Sequence, residues 1–230
     1  MSSLSILILA PLLLASFLAT LVGIWRLTWA YIITIIGIAL SLAAASAGLF
    51  RVLQEGTLRH YLGGWPPPFG IEYVLDHLSA FMAIIIVFIG FVIVIYPPGA
   101  GLYHVPRKGV PMYGLVLLLI SGLIGVVVTG DLFNLFVFLE IYSLASYALI
   151  TLGGNRAVVA SFRYLVLGTI AGGFYLLGIG FIYFSTGTLN MADAAQLLPA
   201  LYSSPTVVAA AALIVIGMGI KLALFPLHVW

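Results

Sequence analysis

The 230 residues include no cysteine, and only 6% of them are charged. The first absence removes disulfides, thiolate metal sites and iron–sulfur ligation from what the chain can do by itself. The second removes the soluble state. Ordinary soluble domains carry about 25% charged residues, and with 64% hydrophobic residues a chain this short cannot hide its apolar surface from water. Eight Lys/Arg against six Asp/Glu form no basic run or stripe, so no nucleic-acid partner is expected. There is no metal-ligand cluster, nucleophile elbow, phosphate loop or dinucleotide fingerprint either. The expectation is a chain with no cofactor, no metal and no catalysis of its own.

What is present is a series of long apolar runs. A bilayer core takes roughly 20 apolar residues per helix, and seven stretches qualify: 2–25, 29–50, 73–96, 112–130, 132–152, 157–185 and 206 to the end. The fold class is therefore all-α, a polytopic integral membrane bundle of about seven transmembrane helices. The first run has no basic flank and no small-residue cleavage pattern, so it reads as a retained helix rather than a signal peptide. Between the second and third runs lies a long connection holding Arg51, Glu55, Arg59, the segment Gly63–Gly70 (G-G-W-P-P-P-F-G), Glu72 and Asp76. The connection over 187–205 has room for a short interfacial helix.

Charge fixes the orientation. Alternate connections hold Arg26, then Arg107 and Lys108, then Arg156, with no acids; the other set holds all the loop carboxylates. Excess Lys/Arg marks the cytoplasmic side, which puts the N-terminus outside. Trp25, Trp29, Tyr31, Trp65, Tyr73 and Tyr96 fall near predicted interfaces, where aromatic belts form.

Function is carried by ionisable residues inside the apolar runs, because each costs about 2.5–3.5 kcal/mol to insert and such groups mark ion or proton routes. Glu140 lies roughly 12 Å into its helix at 1.5 Å per residue, with Ser143 and Tyr147 following on the same face. Lys221 sits late in the last run, ahead of Pro226, which removes a backbone donor and breaks or kinks the helix close by. A buried lysine beside a carboxylate exchanges protons readily. His228, next to the break, has chemistry suited to proton transfer. Arg163 lies two turns into the sixth run, where snorkelling to water competes with an accessory role. Asp76 and His77 read as interfacial. The Gly168-x-x-x-Gly172 pair and the alanine cluster 43–47 read as close helix packing.

The segment from Gly130 to Asp193 (G-D-L-F-N-L-F-V-F-L-E-I-Y-S-L-A-S-Y-A-L-I, R-Y-L-V-L-G, G-T-L-N-M-A-D), together with G-I-K-L-A-L-F-P-L-H-V-W at the end, resembles the antiporter-like subunits of complex I. It is most similar to the D-type subunits of Mrp sodium/proton antiporters and to relatives in membrane-bound hydrogenases. The outer G-G-W-P-P-P-F-G-I-E-Y-V-L-D-H-L-S-A segment is similar too. The resemblance implies a proton or sodium translocator built from two inverted repeats in about fourteen helices. It implies that Glu140 matches the family's glutamate in the fifth helix, Lys221 the lysine at the break of the seventh, and Pro226 and His228 the adjoining P-L-H. Arg163 falls where relatives have a basic residue.

Residues 1–111 would then be the N-terminal helices with the outer loop, and residues 112–230 the start of the translocation repeat. Family chains continue beyond this point, so the expectation is a fragment or one product of a split gene, with another chain supplying the remainder. The implied function is cation (Na+)/proton antiport in a multi-subunit complex of a prokaryotic plasma membrane. The alternatives are a proton- or sodium-pumping subunit of a redox complex (a membrane-bound hydrogenase or NADH:quinone oxidoreductase) and a non-conducting structural subunit. The partners implied are other membrane subunits, protons, Na+ and the lipid bilayer.

Overall fold

Hydropathy alone decides where most of the helices run. The computed structural model describes residues 4–96 and 106–227. Its elements are α1 (Leu4–Gly23), α2 (Leu27–Glu55), β1 (Leu58–Tyr61), β2 (Glu72–Leu75), α3 (His77–Ile95), α4 (Pro106–Val128), α5 (Leu132–Thr151), α6 (Asn155–Thr186), α7 (Met191–Leu197) and α8 (Pro205–Lys221). Six of these, α1 to α6, are long and apolar enough to cross a membrane, and α8 is a shorter apolar helix. The chain is a polytopic helical membrane bundle. Leu14, Phe17, Phe50, Leu53 and Phe184 all stand exposed on its outside, which suits lipid and would be untenable in water.

Packing proceeds in chain order. Helix α1 packs on α2 and α4, α2 on α3, α4 on α5, α5 on α6, and α6 on α8. The main core runs through α1 to α4 and reaches Phe138 of α5. Small residues set the closest approach: a Cβ on Gly37 of α2 would collide with Ala15 of α1, and Ala45 of the alanine cluster is fully buried.

The two sequence-based boundaries that flank the long connection move. Helix α2 continues through Arg51 to Glu55 instead of stopping at residue 50. The third span starts at His77, because residues 72–75 are drawn into a strand. The long outer connection thus contains an antiparallel β1–β2 hairpin pairing Leu58 with Leu75 and Tyr61 with Glu72. Asp76 and His77 sit at the start of α3. The Asp76 carboxylate accepts from the Ser79 backbone N–H at 2.7 Å, and the Ser79 hydroxyl accepts from the Asp76 N–H at 2.7 Å, a reciprocal capping box. That bond to the Ser79 N–H holds the Asp76 carboxyl below its ordinary pKa. The short helix expected in the 187–205 connection is α7.

The three outer connections are sewn together. Tyr73 of β2 bridges Thr129, and Asp131 bridges Asn190. The Gly130 N–H donates to the Glu72 carbonyl at 2.8 Å, and the Met191 N–H donates to the Gly130 carbonyl at 2.9 Å. The hairpin, the α4–α5 turn and the α6–α7 loop therefore meet on one side of the bundle, as alternating crossings require. Glu72 is at the centre and only 2% exposed. One carboxylate oxygen accepts from Arg59 Nη1 at 2.7 Å and the other from Asn190 Nδ2 at 2.7 Å. The Glu72 hydrogen bond and charge raise the pKa of Arg59 further above its ordinary value. Tyr73, placed in an aromatic belt by the sequence, is buried here instead, with its ring 6.4 Å from that of Phe138.

Candidate functional site

Helix α5 is set at its outer end by Asp131, whose carboxylate caps the helix by accepting from the Asn134 N–H at 2.7 Å. Burial pushes the Asp131 carboxyl above its usual pKa, against the pull of that hydrogen bond. From this anchor Glu140 lies more than two turns down the helix.

Helix α8 enters from the same side, after the α6–α7 loop and α7. It has 17 residues, or about 25 Å at 1.5 Å per residue, which is short of a hydrocarbon core of about 30 Å. It stops at Lys221, as the position of Pro226 leads one to expect. Leu222 caps the helix, Ala223 takes a left-handed conformation with φ of 53°, unusual for a residue with a Cβ, and the Leu224 N–H turns back to the Gly219 carbonyl at 2.9 Å.

At that stop the two helices are joined by an ion pair. Lys221 Nζ donates to Glu140 Oε1 at 3.0 Å and to Ser143 Oγ at 3.0 Å. The Lys221 side chain is 4% exposed and that of Glu140 26%. The ammonium also lies 5.9 Å from the centroid of the Tyr142 ring, within cation–π range. Ser143 is buried and interacts with the phenols of both Tyr142 and Tyr147. Tyr147 meets Tyr164 of α6 edge-on, with centroids 4.5 Å apart. The Ser161 hydroxyl donates to the Tyr147 carbonyl at 2.7 Å, tying α5 to α6.

The structure thus unites Glu140, Lys221, Ser143 and Tyr147. It does not bring in Arg163, whose side chain is exposed on α6. Pro226 is exposed beyond the break, and His228 lies outside the described residues. Among the described residues, no group of three His, Cys, Asp or Glu side chains is gathered to hold a metal.

Sequence reasoning passes over two sets of groups. The glycines of α6, read as packing, face the polar side chains of α5: a Cβ on Gly168 would strike the Tyr147 hydroxyl, and one on Gly172 would come 2.5 Å from Glu140 Oε1. Glu72, Asn190, Thr129 and Asn134 form the outer polar cluster; Glu72 gives only the weak signal of an acid flanked by apolar strand residues.

The chain is thus a helical membrane protein with a lysine–glutamate pair at the stop of a short helix. Residues 129–230 match the family described as NADH:quinone oxidoreductase/Mrp antiporter, TM, and the chain is similar to membrane subunits of that kind. It is 51% identical over 193 residues to NADH-quinone oxidoreductase subunit N of Desulforudis audaxviator, a match covering 82% of this chain and 38% of the relative. It is 32% identical over 185 residues to the D-type Na(+)/H(+) antiporter subunit of Bacillus subtilis, covering 78% of this chain and 36% of the relative. Among solved structures it resembles a chain of the membrane-bound sulfane sulfur reductase, an archaeal respiratory membrane complex. The TM-score there is 0.89 at 32% identity, over 98% of this chain and 46% of the other. The chain spans less than half the length of these relatives.

Proposed function

We propose that this chain is a membrane subunit of a multi-subunit cation/proton translocator in a prokaryotic plasma membrane, in which Glu140 and Lys221 take up and hand on protons. The observation that carries this reading is the 3.0 Å contact between Lys221 Nζ and Glu140 Oε1 at the point where the short apolar helix α8 stops. The two groups stabilise each other's charge. When either changes protonation the contact loses its Coulomb energy, and the partner becomes free to exchange its own proton. Lysine suits this role because, unlike arginine, it can give up its proton. Ser143 offers Lys221 a neutral partner while Glu140 is protonated. The unit from residue 112 onward would form the translocating part and residues 1–111 its flank.

Two driving forces are open to such a unit. Cation/proton antiport agrees with the similarity to the D-type antiporter subunit. Redox-driven pumping agrees with the higher identity to a subunit of a quinone oxidoreductase and the likeness to a respiratory complex. Dye-monitored proton flux in everted vesicles carrying the whole complex separates them. Flux that starts on Na+ addition and disappears in Glu140→Gln supports antiport through this carboxylate, whereas flux that starts only with an electron donor and disappears in the same variant supports a redox-driven pump. Unchanged flux in Glu140→Gln removes the mechanism in both forms.

A further inference from the structure

The carboxylate of Glu140 is held on one side by Lys221. On its other side stands α6, and what α6 presents there is backbone. Gly172 is buried, and a Cβ at that position would lie 2.5 Å from Glu140 Oε1 and 3.4 Å from its carboxyl carbon. Oxygen and carbon cannot approach so closely, and the atom met is the functional carboxylate rather than the end of an idle side chain. The third near neighbour is a Phe136 ring carbon at 3.5 Å, an ordinary contact. One turn earlier the arrangement repeats, with Gly168 in the same relation to the Tyr147 hydroxyl. The next residue along α6 differs entirely: Gly173 is exposed and a Cβ there meets nothing within 4 Å.

We propose that Gly172 is a positioning residue: its missing side chain leaves the space in which the Glu140 carboxylate reaches Lys221, and Gly168 gives the Tyr147 phenol its seat in the same way. The inference rests on the Glu140–Lys221 reading of the site. On intrinsic propensity, alanine is the better helix former at every one of these positions, so helix propensity predicts that all three substitutions are harmless. Only the contact with the site sets them apart. With a methyl group at 172 the carboxylate must withdraw toward the open side from which it is 26% exposed, lengthening its contact with Nζ.

The test is proton flux in vesicles carrying the complete complex, over a range of pH, for Gly172→Ala, Gly168→Ala and Gly173→Ala beside Glu140→Gln. Gly172→Ala is expected to lose about ten-fold or more in rate and to move the pH optimum, since a displacement of about 1 Å at a reacting group costs on the order of 100-fold. Gly173→Ala is expected to stay within about two-fold of wild type with its pH profile intact, as surface substitutions do. Gly168→Ala is expected to fall between them. Equal behaviour of Gly172→Ala and Gly173→Ala, with Glu140→Gln inactive, overturns this inference and leaves the Glu140 reading standing; activity in Glu140→Gln overturns both. If Gly172→Ala does not assemble, the same change on a Glu140→Ala background decides. Recovery of assembly there shows that the methyl group met the carboxylate, and continued failure overturns the proposal.

Discussion

Two ion pairs in this chain have the same chemistry in outline and opposite construction. In the outer pair the carboxylate is buried and the cation exposed: Glu72 is 2% exposed and Arg59 48%. In the inner pair it is the cation that is buried, Lys221 at 4% against Glu140 at 26%. Both oxygens of Glu72 are taken, one by a guanidinium that never deprotonates and one by an amide. Glu140 shares one oxygen with an ammonium that has a second, neutral partner. The first arrangement is saturated, and it joins a hairpin to two loops. The second keeps an acceptor to spare. Placement of an ion pair says little; which partner is buried, and how many of its bonds are spoken for, separates a clasp from a carrier.

The comparison breaks most visibly at Lys221. Lys221→Arg preserves a positive charge, so a structural pair would tolerate it, yet a proton-exchanging lysine would not. Flux is expected to fall by about 100-fold or more, the range for removing a general acid–base group, while insertion and assembly persist. Retained flux would make the inner pair a second clasp.

Next in size is Glu72→Ala. It strands Asn190 and Arg59, and a loss of about 2–4 kcal/mol is expected in unfolding of the detergent-solubilised protein. Flux per assembled complex is expected to be preserved. Loss of flux with no loss of stability would mean that the outer cluster takes part in transport.

Arg59→Lys isolates the exposed half of the clasp. Because the cation is half in water, the cost is expected to be at most about 1 kcal/mol, with no change in flux.

Smallest and most confined is Asp76→Ala, expected to cost about 1 kcal/mol at neutral pH through loss of the cap. The folded pKa of Asp76 is depressed. Its contribution is therefore fully present above the unfolded value of about 3.9 and is lost as pH falls through the lower folded value. Wild-type and variant unfolding curves are expected to converge only below about pH 4.

The inner pair is legible in the sequence and the outer one is not, for a physical reason. A charge in an apolar run announces its depth without any knowledge of the fold, because the cost of inserting it is incurred wherever the helix goes. Glu140 and Lys221 stand out in that way, and Pro226 locates the stop of α8. Glu72 lies among loop residues where an acid is ordinarily solvated. Only the hairpin, which depends on pairing across the Gly/Pro-rich segment of residues 63–70, folds it inward. Gly168 and Gly172 give a packing signal, and packing is what they do; what they pack against is a property of α5 that α6 alone does not encode. Arg163 is marked only by its position in a helix, and helical position without a facing partner leaves it on the outside.

The stop of α8 has one more consequence. Its peptide units point their carbonyls toward Lys221, and at the helix end their dipoles add up to roughly half a negative charge. Lys221 occupies the last turn, where a cation is favoured by the negative pole of the helix, one that no titration can remove. A Glu140→Gln substitution leaves that pole in place. A continuous helix would have carried its negative end on toward the membrane surface, away from the lysine. Ending the helix at residue 221 gives the cation a permanent counter-field close by.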